Sequence, residues 1–400
     1  MSSPDTYAAW RHQPLKALYL SYELAAAFVV VPYWALTALP RYVTTGPPYW
    51  ALTAPPRSLR PRQSWSWART MHINMLRHLI DLGSYVGPLV ISPSHLALVP
   101  GVGYHGVWVD PPQDDLLRGK VKLWASIVSV QPVSTRGTLM PGEKIVYALH
   151  GGAYTRLSAH PTDPSAGIAK GILDRVDRVH RTFSIEYRLS STKPFAVAHP
   201  FPTALIDALT GYNYLLQFFA PSDIIVEGDS AGGNLALAFM RYLVETNALP
   251  LPGALLLLSP WCDLGNSHVT PESSYFTCPK SDYIPGVQPE QYNYPVTAFT
   301  GPFGVGAAEE NPYISPASKH IWDVEFTGFP RTFIVNGGAE VLRDSIRTLH
   351  ERMAKDLGSK VEYFEAEDAV HDFLAIDNGV MEPERGQALG KIGEWVTSLP

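Results

Sequence analysis

The chain has 400 residues, a formal net charge of −6 and 46% hydrophobic residues. That composition describes a globular protein with a sizeable core, and its acidic balance gives no reason to expect nucleic acid as a partner. Two cysteines, Cys262 and Cys278, are too few for a disulfide framework and read as free thiols rather than a pair. The histidines and cysteines show no metal-ligand spacing, so the sequence implies no metal and no cofactor.

The N-terminal region stands apart from the rest. From Ala17 to Leu39, 23 residues carry one charge, Glu23, and one interior proline, Pro32. This is long enough to span a bilayer, and it lacks the small-residue cleavage site of a signal peptide. Residues 17–39 are therefore expected to associate with a membrane, with a soluble lid helix as the alternative. Arg41, Arg57, Arg60 and Arg62 follow the segment, against Arg11 and Lys16 before it, a balance that favours a cytosolic domain. The absence of an Asn-x-Ser/Thr sequon gives no support to a lumenal one. A membrane such as the endoplasmic reticulum is the expected location, with the cytoplasm as the alternative. The heptapeptide Pro32–Ala38 recurs as Pro48–Ala54, but two copies are too few for a solenoid. On this reading residues 1–60 form an anchor or cap segment and 61–117 a cap or lid region. Residues 118–400 form the main domain.

Gly101-Val102-Gly103-Tyr104-His105-Gly106 matches G-x-G-x-x-G. A dinucleotide site needs a helix to open there, and the prolines 111 and 112 forbid one, so the segment reads as a loop. From about residue 120 the pattern alternates. Strand-like runs fall at Leu123–Val130, Lys144–Leu149, Thr182–Tyr187, Asp223–Glu227, Ala254–Ser259, Thr332–Asn336 and Lys360–Glu365. Helical runs fall at Ala166–His180, Pro202–Phe219, Gly233–Thr246, Leu342–Leu357 and Arg385–Ser398. Such alternation predicts an α/β fold, a mostly parallel, doubly wound sheet with helices on both faces. Ligands of such sheets bind at the carboxyl ends of the strands. The exception is 268–310, a long insertion rich in Pro, Gly, Tyr and Phe. Connections this long are usually functional or disordered. This one reads as a lid, with Tyr275, Phe276, Tyr283, Tyr292, Tyr294 and Phe299 available to line a pocket or simply to bury their own loop.

Two motifs carry the chemistry. Gly228-Asp229-Ser230-Ala231-Gly232 is a G-x-S-x-G pattern between a strand-like and a helical run, the setting of a nucleophile elbow. His150-Gly151-Gly152-Ala153 follows another strand-like run and reads as a loop that turns its N–H groups inward. The expected oxyanion donors are Gly151, Gly152, Ala153 and Ala231. Alone, either pattern has a plainer reading as a turn. A serine nucleophile needs a base and the base needs an acid, in the chain order serine, acid, histidine. His371 follows the last strand-like run and is the expected base. His350 lies in a helical run, and His268 and His320 lie in or near the insertion. Glu340, 31 residues before His371, sits in the loop after Thr332–Asn336 and is the preferred acid. Asp344 is the second choice, since a carboxylate in a first helical turn has a plain role at the helix N-terminus.

These motifs, with Tyr187–Ser190, Leu258–Leu264, Asn311–Pro316 and His371-Asp372-Phe373, resemble the hormone-sensitive-lipase-like branch of the α/β-hydrolases from about Trp124 onward. The chain departs from that branch in two places. Ala153 replaces a third glycine, and Glu340 stands where an aspartate is usual. The resemblance implies a cofactor-independent serine esterase acting on small-molecule esters, and similarity to fungal steryl acetyl hydrolases suggests short acyl groups on hydrophobic alcohols. An acyltransferase on the same triad is the alternative. A non-catalytic receptor on the same fold is a second alternative, although related receptors lack the histidine that this chain has.

Overall fold

The computed structural model describes residues 14–22, 60–86, 107–109, 128–132, 142–193, 195–286 and 293–400. Eight strands form one sheet: β1 (Val107–Val109), β2 (Val128–Pro132), β3 (Lys144–Leu149), β4 (Val179–Glu186), β5 (Ile224–Asp229), β6 (Ala254–Leu258), β7 (Arg331–Gly337) and β8 (Val361–Ala366). Their order is β1-β2-β4-β3-β5-β6-β7-β8. From β4 to β8 the neighbours are parallel, whereas β1 and β2 join antiparallel at one edge. The main helices are α1 (Trp67–Val86), α2 (Ala166–Arg175), α3 (Thr203–Leu215), α4 (Ala231–Thr246), α5 (Arg343–Leu357) and α6 (Glu384–Thr397).

The central strands are buried on both faces because each alternates its side chains between two apolar layers. In β5, Ile224 and Val226 enter the layer under α3, α4 and α5, while Ile225 enters the layer under α2 and α6. Glu227 and Asp229 continue along the Ile225 side of the same strand, so two carboxylates fall where the periodicity calls for apolar residues. The chain runs from β3 outward to β4 and then returns to β5 on the other side of β3. The switch point therefore lies between β3 and β5, where Leu149 pairs with Gly228. A crevice opens at the carboxyl ends of strands at such a point, and both sequence motifs begin there.

Several boundaries differ from the expected ones. The helix expected over Ala166–His180 stops at Arg175. Val176 is already extended, and Val179 starts β4, because pairing with β3 offers this β-branched stretch more than another helical turn would. The helix expected from Pro202 to Phe219 ends at Leu215, and the one expected from Gly233 begins two residues earlier, at Ala231. The run expected over Leu123–Val130 appears as β2 at Val128–Pro132, with residues 123–127 outside the described set. Gly101–Gly106 also lies outside it, but the chain continues from there into strand β1 and not into a helix.

Of the expected membrane segment 17–39, only 17–22 are described, and no described helix is long and apolar enough to cross a membrane. The described part of 61–117 packs on the main domain. Arg69 of α1 forms a bidentate pair with Glu384, 2.7 Å at its shorter contact, and Trp65 Nε1 donates to the Asp368 carbonyl at 2.9 Å.

Leu257 in β6 is fully buried, with β5 and β7 on either side. Leu257→Ala leaves a cavity there and is expected to cost about 2–5 kcal/mol, read as a lower urea midpoint with an unchanged slope.

Candidate active site

Ser230 sits at the junction of β5 and α4 with φ 50° and ψ −115°, a left-handed conformation for a residue with a side chain. The surroundings impose this strain. The Ser230 N–H donates to the Leu258 carbonyl at 3.0 Å, and its own carbonyl accepts from Trp261 N–H at 2.9 Å and Asn234 N–H at 3.1 Å. The turn passes so close to β3 that a Cβ on Gly232 would run into the Leu149 carbonyl. The hydroxyl is thereby held at the top of the sheet with the start of α4 behind it.

His371 lies in the loop after β8. Its Nε2 is 2.9 Å from Ser230 Oγ, and its backbone N–H donates to Asp282 Oδ1 at 3.2 Å. On the other side of the ring, Nδ1 is 3.9 Å from Glu340 Oε1. Both atoms are buried, and neither has a hydrogen-bond partner among the described residues. Two orphaned, complementary atoms facing each other need only a small approach to make the bond that fixes an imidazole tautomer. The other oxygen of Glu340 is anchored by Ser259 O–H at 2.7 Å and Gly337 N–H at 2.9 Å.

Asp344 is placed elsewhere. Its carboxylate accepts from Ser274 N–H at 2.8 Å and pairs with Arg343 at 3.0 Å. These contacts outweigh its partial burial and hold it below the usual carboxylate range. It serves the start of α5 and the insertion, and the structure does not bring it to His371.

The loop after β3 carries three successive positive φ values, at Gly152 (100°), Ala153 (54°) and Tyr154 (59°). Ala153 adopts the conformation that a third glycine would supply. Among the expected oxyanion donors, Gly151 N–H is already engaged by Asp229 Oδ1 at 3.0 Å. Gly152, Ala153 and Ala231 N–H have no acceptor among the described residues. The remaining motif residues tie this loop down. Tyr187 stacks on His150 at 4.2 Å and donates to the His150 carbonyl at 2.7 Å. Arg188 forks onto the buried Asp207 of α3 at 2.6 Å. Asn234 of α4 accepts from Tyr154 O–H and donates to the Ile314 carbonyl, both at 2.7 Å, joining three separate motifs.

The other histidines have their own partners. His268 is buried between Asp263 (2.6 Å) and Thr348 (2.9 Å), His350 stacks on Tyr363, and His320 contacts Glu309. Among the insertion aromatics, Phe299 stacks on Tyr154 at 3.8 Å and Tyr283 lies 6.0 Å from the His371 ring. Tyr275 packs against the core and Phe276 is exposed, while Tyr292 is outside the described residues.

Sequence reasoning assigned no role to four polar residues here, Glu227, Ser259, Asp282 and Asp372, although Ser259 and Asp372 stand inside the motifs Leu258–Leu264 and His371-Asp372-Phe373. Burial and the neighbouring Asp372 push the Glu227 carboxyl up to about 8. Burial, Asp372 and Glu227 together raise Asp229 well above its usual range. Burial likewise lifts Asp282 to about 7. Burial alone would lower His371, but Asp372 and Glu340 outweigh it and hold the imidazole well above its ordinary value. The one signal that could have flagged these carboxylates is Glu227 itself, a charged residue inside an apolar strand.

Glu227 yields a test by linkage. Below the ordinary glutamate range both folded and unfolded states hold the proton, so burial costs nothing. As pH rises toward 8 the unfolded chain ionises first, and the folded state loses stability. Glu227→Gln removes this loss. Its melting temperature is expected to match wild type near pH 4 and to exceed it increasingly up to pH 8, as read by thermal denaturation across that range.

Comparison with known proteins agrees with this architecture. An acetyl-hydrolase of Streptomyces hygroscopicus is 28% identical over 307 residues, covering 75% of this chain and 88% of the relative. Esterase LipU of Mycobacterium tuberculosis is 28% identical over 322 residues, covering 78% and 98%. The crystal structure of a hormone-sensitive lipase from a metagenome library, 22% identical, has the same fold with a TM-score of 0.57 over 83% of this chain and 99% of that one. Residues 146–375, more than half of the chain, match the family model described as the alpha/beta hydrolase fold, and the chain belongs to that family.

Proposed function

We propose that this enzyme is a serine carboxylic-ester hydrolase whose triad is Ser230, His371 and Glu340. The observation that carries the reading is the 2.9 Å contact between His371 Nε2 and the hydroxyl of a serine held at a left-handed elbow. His371 takes the Ser230 proton as Oγ attacks the ester carbonyl, and Glu340 holds the ring and stabilises the imidazolium. The negative oxygen of the tetrahedral intermediate is received by Gly152, Ala153 and Ala231 N–H, which carry no other acceptor among the described residues. Gly151 N–H instead fixes the loop to Asp229. The proton passes from His371 to the departing alcohol, and water activated by the same base then releases the acid.

Short acyl chains are the proposed substrates, on hydrophobic alcohols. The acetyl-hydrolase among the relatives supports the first part. The aromatic surroundings, Tyr154 on Phe299 and Tyr283 beside His371, support the second.

Hydrolysis of p-nitrophenyl acetate, butyrate, octanoate and palmitate tests this. Acetate and butyrate are expected to turn over faster than palmitate, and Ser230→Ala is expected to lose about 10⁴-fold or more. Glu340→Gln is expected to lose about 10³–10⁴-fold in kcat with the fold intact, whereas Asp344→Asn should remain within severalfold of wild type. An intact protein inert on every ester would sink the reading. Release of the acyl group to an added alcohol in preference to water would turn it to acyl transfer.

A further inference from the structure

His371 Nε2 has a second oxygen within reach. Ser230 Oγ is at 2.9 Å, and Asp372 Oδ2 is at 3.1 Å. A triad needs only the first. Asp372 is held in place by its backbone, which is left-handed at φ 43°. Its N–H donates to Ser259 Oγ at 3.2 Å, and that same hydroxyl donates to Glu340 Oε2. Its side chain is nearly buried, and Oδ1 has no hydrogen-bond partner among the described residues. Nothing else described there takes up the charge of this carboxylate, so it acts on the base.

We propose that Asp372 is a positioning residue that shares the Nε2 proton of His371 with Ser230 and so sets the pH above which the imidazole is free to act as a base. The proposal rests on the esterase reading. Below that pH His371 carries a proton on each nitrogen, between Glu340 and Asp372. The Nε2 proton leaves to solvent as pH rises. The freed lone pair then takes the Ser230 proton as the bond from Oγ to the carbonyl carbon forms. That proton goes to the alcohol oxygen when the ester C–O bond breaks. Asp372 makes the first loss harder and keeps the Nε2–H aligned in the last step.

The other groups around the ring are fixed differently. Glu340, from the loop after β7, faces Nδ1. Asp282, from the insertion, is bound by the N–H groups of Val341, Tyr283 and His371. Asp229 and Glu227 at the end of β5 are raised by burial and by Asp372, which favours their neutral forms. Tyr283 presents its ring. Among the described residues only Asp372 sets a carboxylate against the nitrogen that must exchange its proton with Ser230.

The test is the pH dependence of kcat/KM on p-nitrophenyl acetate for wild type, Asp372→Asn and Asp372→Gly, whose residues both accept a left-handed backbone. It is paired with an NMR titration of isotope-labelled histidine, with the His371 signal assigned by its loss in His371→Gln. In wild type the acid limb and the His371 titration are expected together above the ordinary histidine value. In both variants they fall by about one pH unit or more, so that one unit below the wild-type limb each variant retains a severalfold larger fraction of its own plateau. Three results would each overturn the proposal: a wild-type His371 titrating near 6.5, a limb unmoved in both variants, or a rate loss equal at every pH. A wild type that cleaves no ester would remove the esterase reading, while the His371 titration would still decide what Asp372 does.

Discussion

The structure depends on one strained residue. Ser230 holds a left-handed backbone because the turn from β5 into α4 must reverse within a single residue, hard against the end of β3. Such strain costs of order 1–3 kcal/mol and persists only where the surroundings over-determine it. Here they do so from three directions. The Leu258 carbonyl holds the Ser230 N–H, Trp261 N–H holds its carbonyl, and the first turn of α4 is packed beneath. Strands β5 and β6 are buried on both faces, so the sheet end that supports the elbow is packed into the core. The hydroxyl's position is therefore a property of the core.

Around that point the chain concentrates negative charge and matches it with one imidazole. Glu340 and Asp372 touch the ring, Asp282 holds its backbone, and Asp229 and Glu227 lie at the end of the neighbouring strand. Five ionised carboxylates in so small and dry a volume would repel one another strongly. The structure relieves this by dividing labour. Glu340 and Asp372 face His371 from its two ring nitrogens and hold the imidazole above its ordinary value. Burial favours the neutral forms of Glu227 and Asp229, and Asp282 is wrapped in backbone N–H groups. The site is stable as an ensemble of protons rather than as a set of independent pairs.

Much of this was legible in the sequence, for physical reasons that also explain where legibility stopped. Ser230 and the loop after β3 are written locally, since an elbow needs small residues within two positions of the nucleophile. The parallel strands announce themselves as apolar runs because both of their faces are buried. Helix ends were missed where pairing in the sheet competed with propensity, as at Val176. Asp282 carries no local signature, because its role comes from a contact with His371 made across 89 residues of chain, and Asp372, although next to the base in sequence, shows its part only once the fold sets its carboxylate beside Nε2. Gly151 shows the same limit on a smaller scale. Its place in the motif suggests a free donor, and only the fold brings Asp229 to occupy its N–H.

The insertion is bound into the same network. Asp282 accepts from Val341 N–H with one oxygen and from His371 N–H with the other, so a single side chain spans the loop of the acid and the loop of the base. Ser281 and Ser274 add bonds to the Ala339 and Val341 carbonyls on either side of Glu340. The Asp282 carbonyl is in turn gripped by Arg77 of α1 at 2.6 and 2.8 Å. A helix some three hundred residues upstream of the base is thus joined to it through two polar links. The 3.9 Å between Glu340 and His371 is a distance that a slight movement of either loop would close or widen. Asp282 is hydrogen-bonded to both loops. Helix α1 and the insertion are thus tied by hydrogen bonds to the two loops that carry Glu340 and His371.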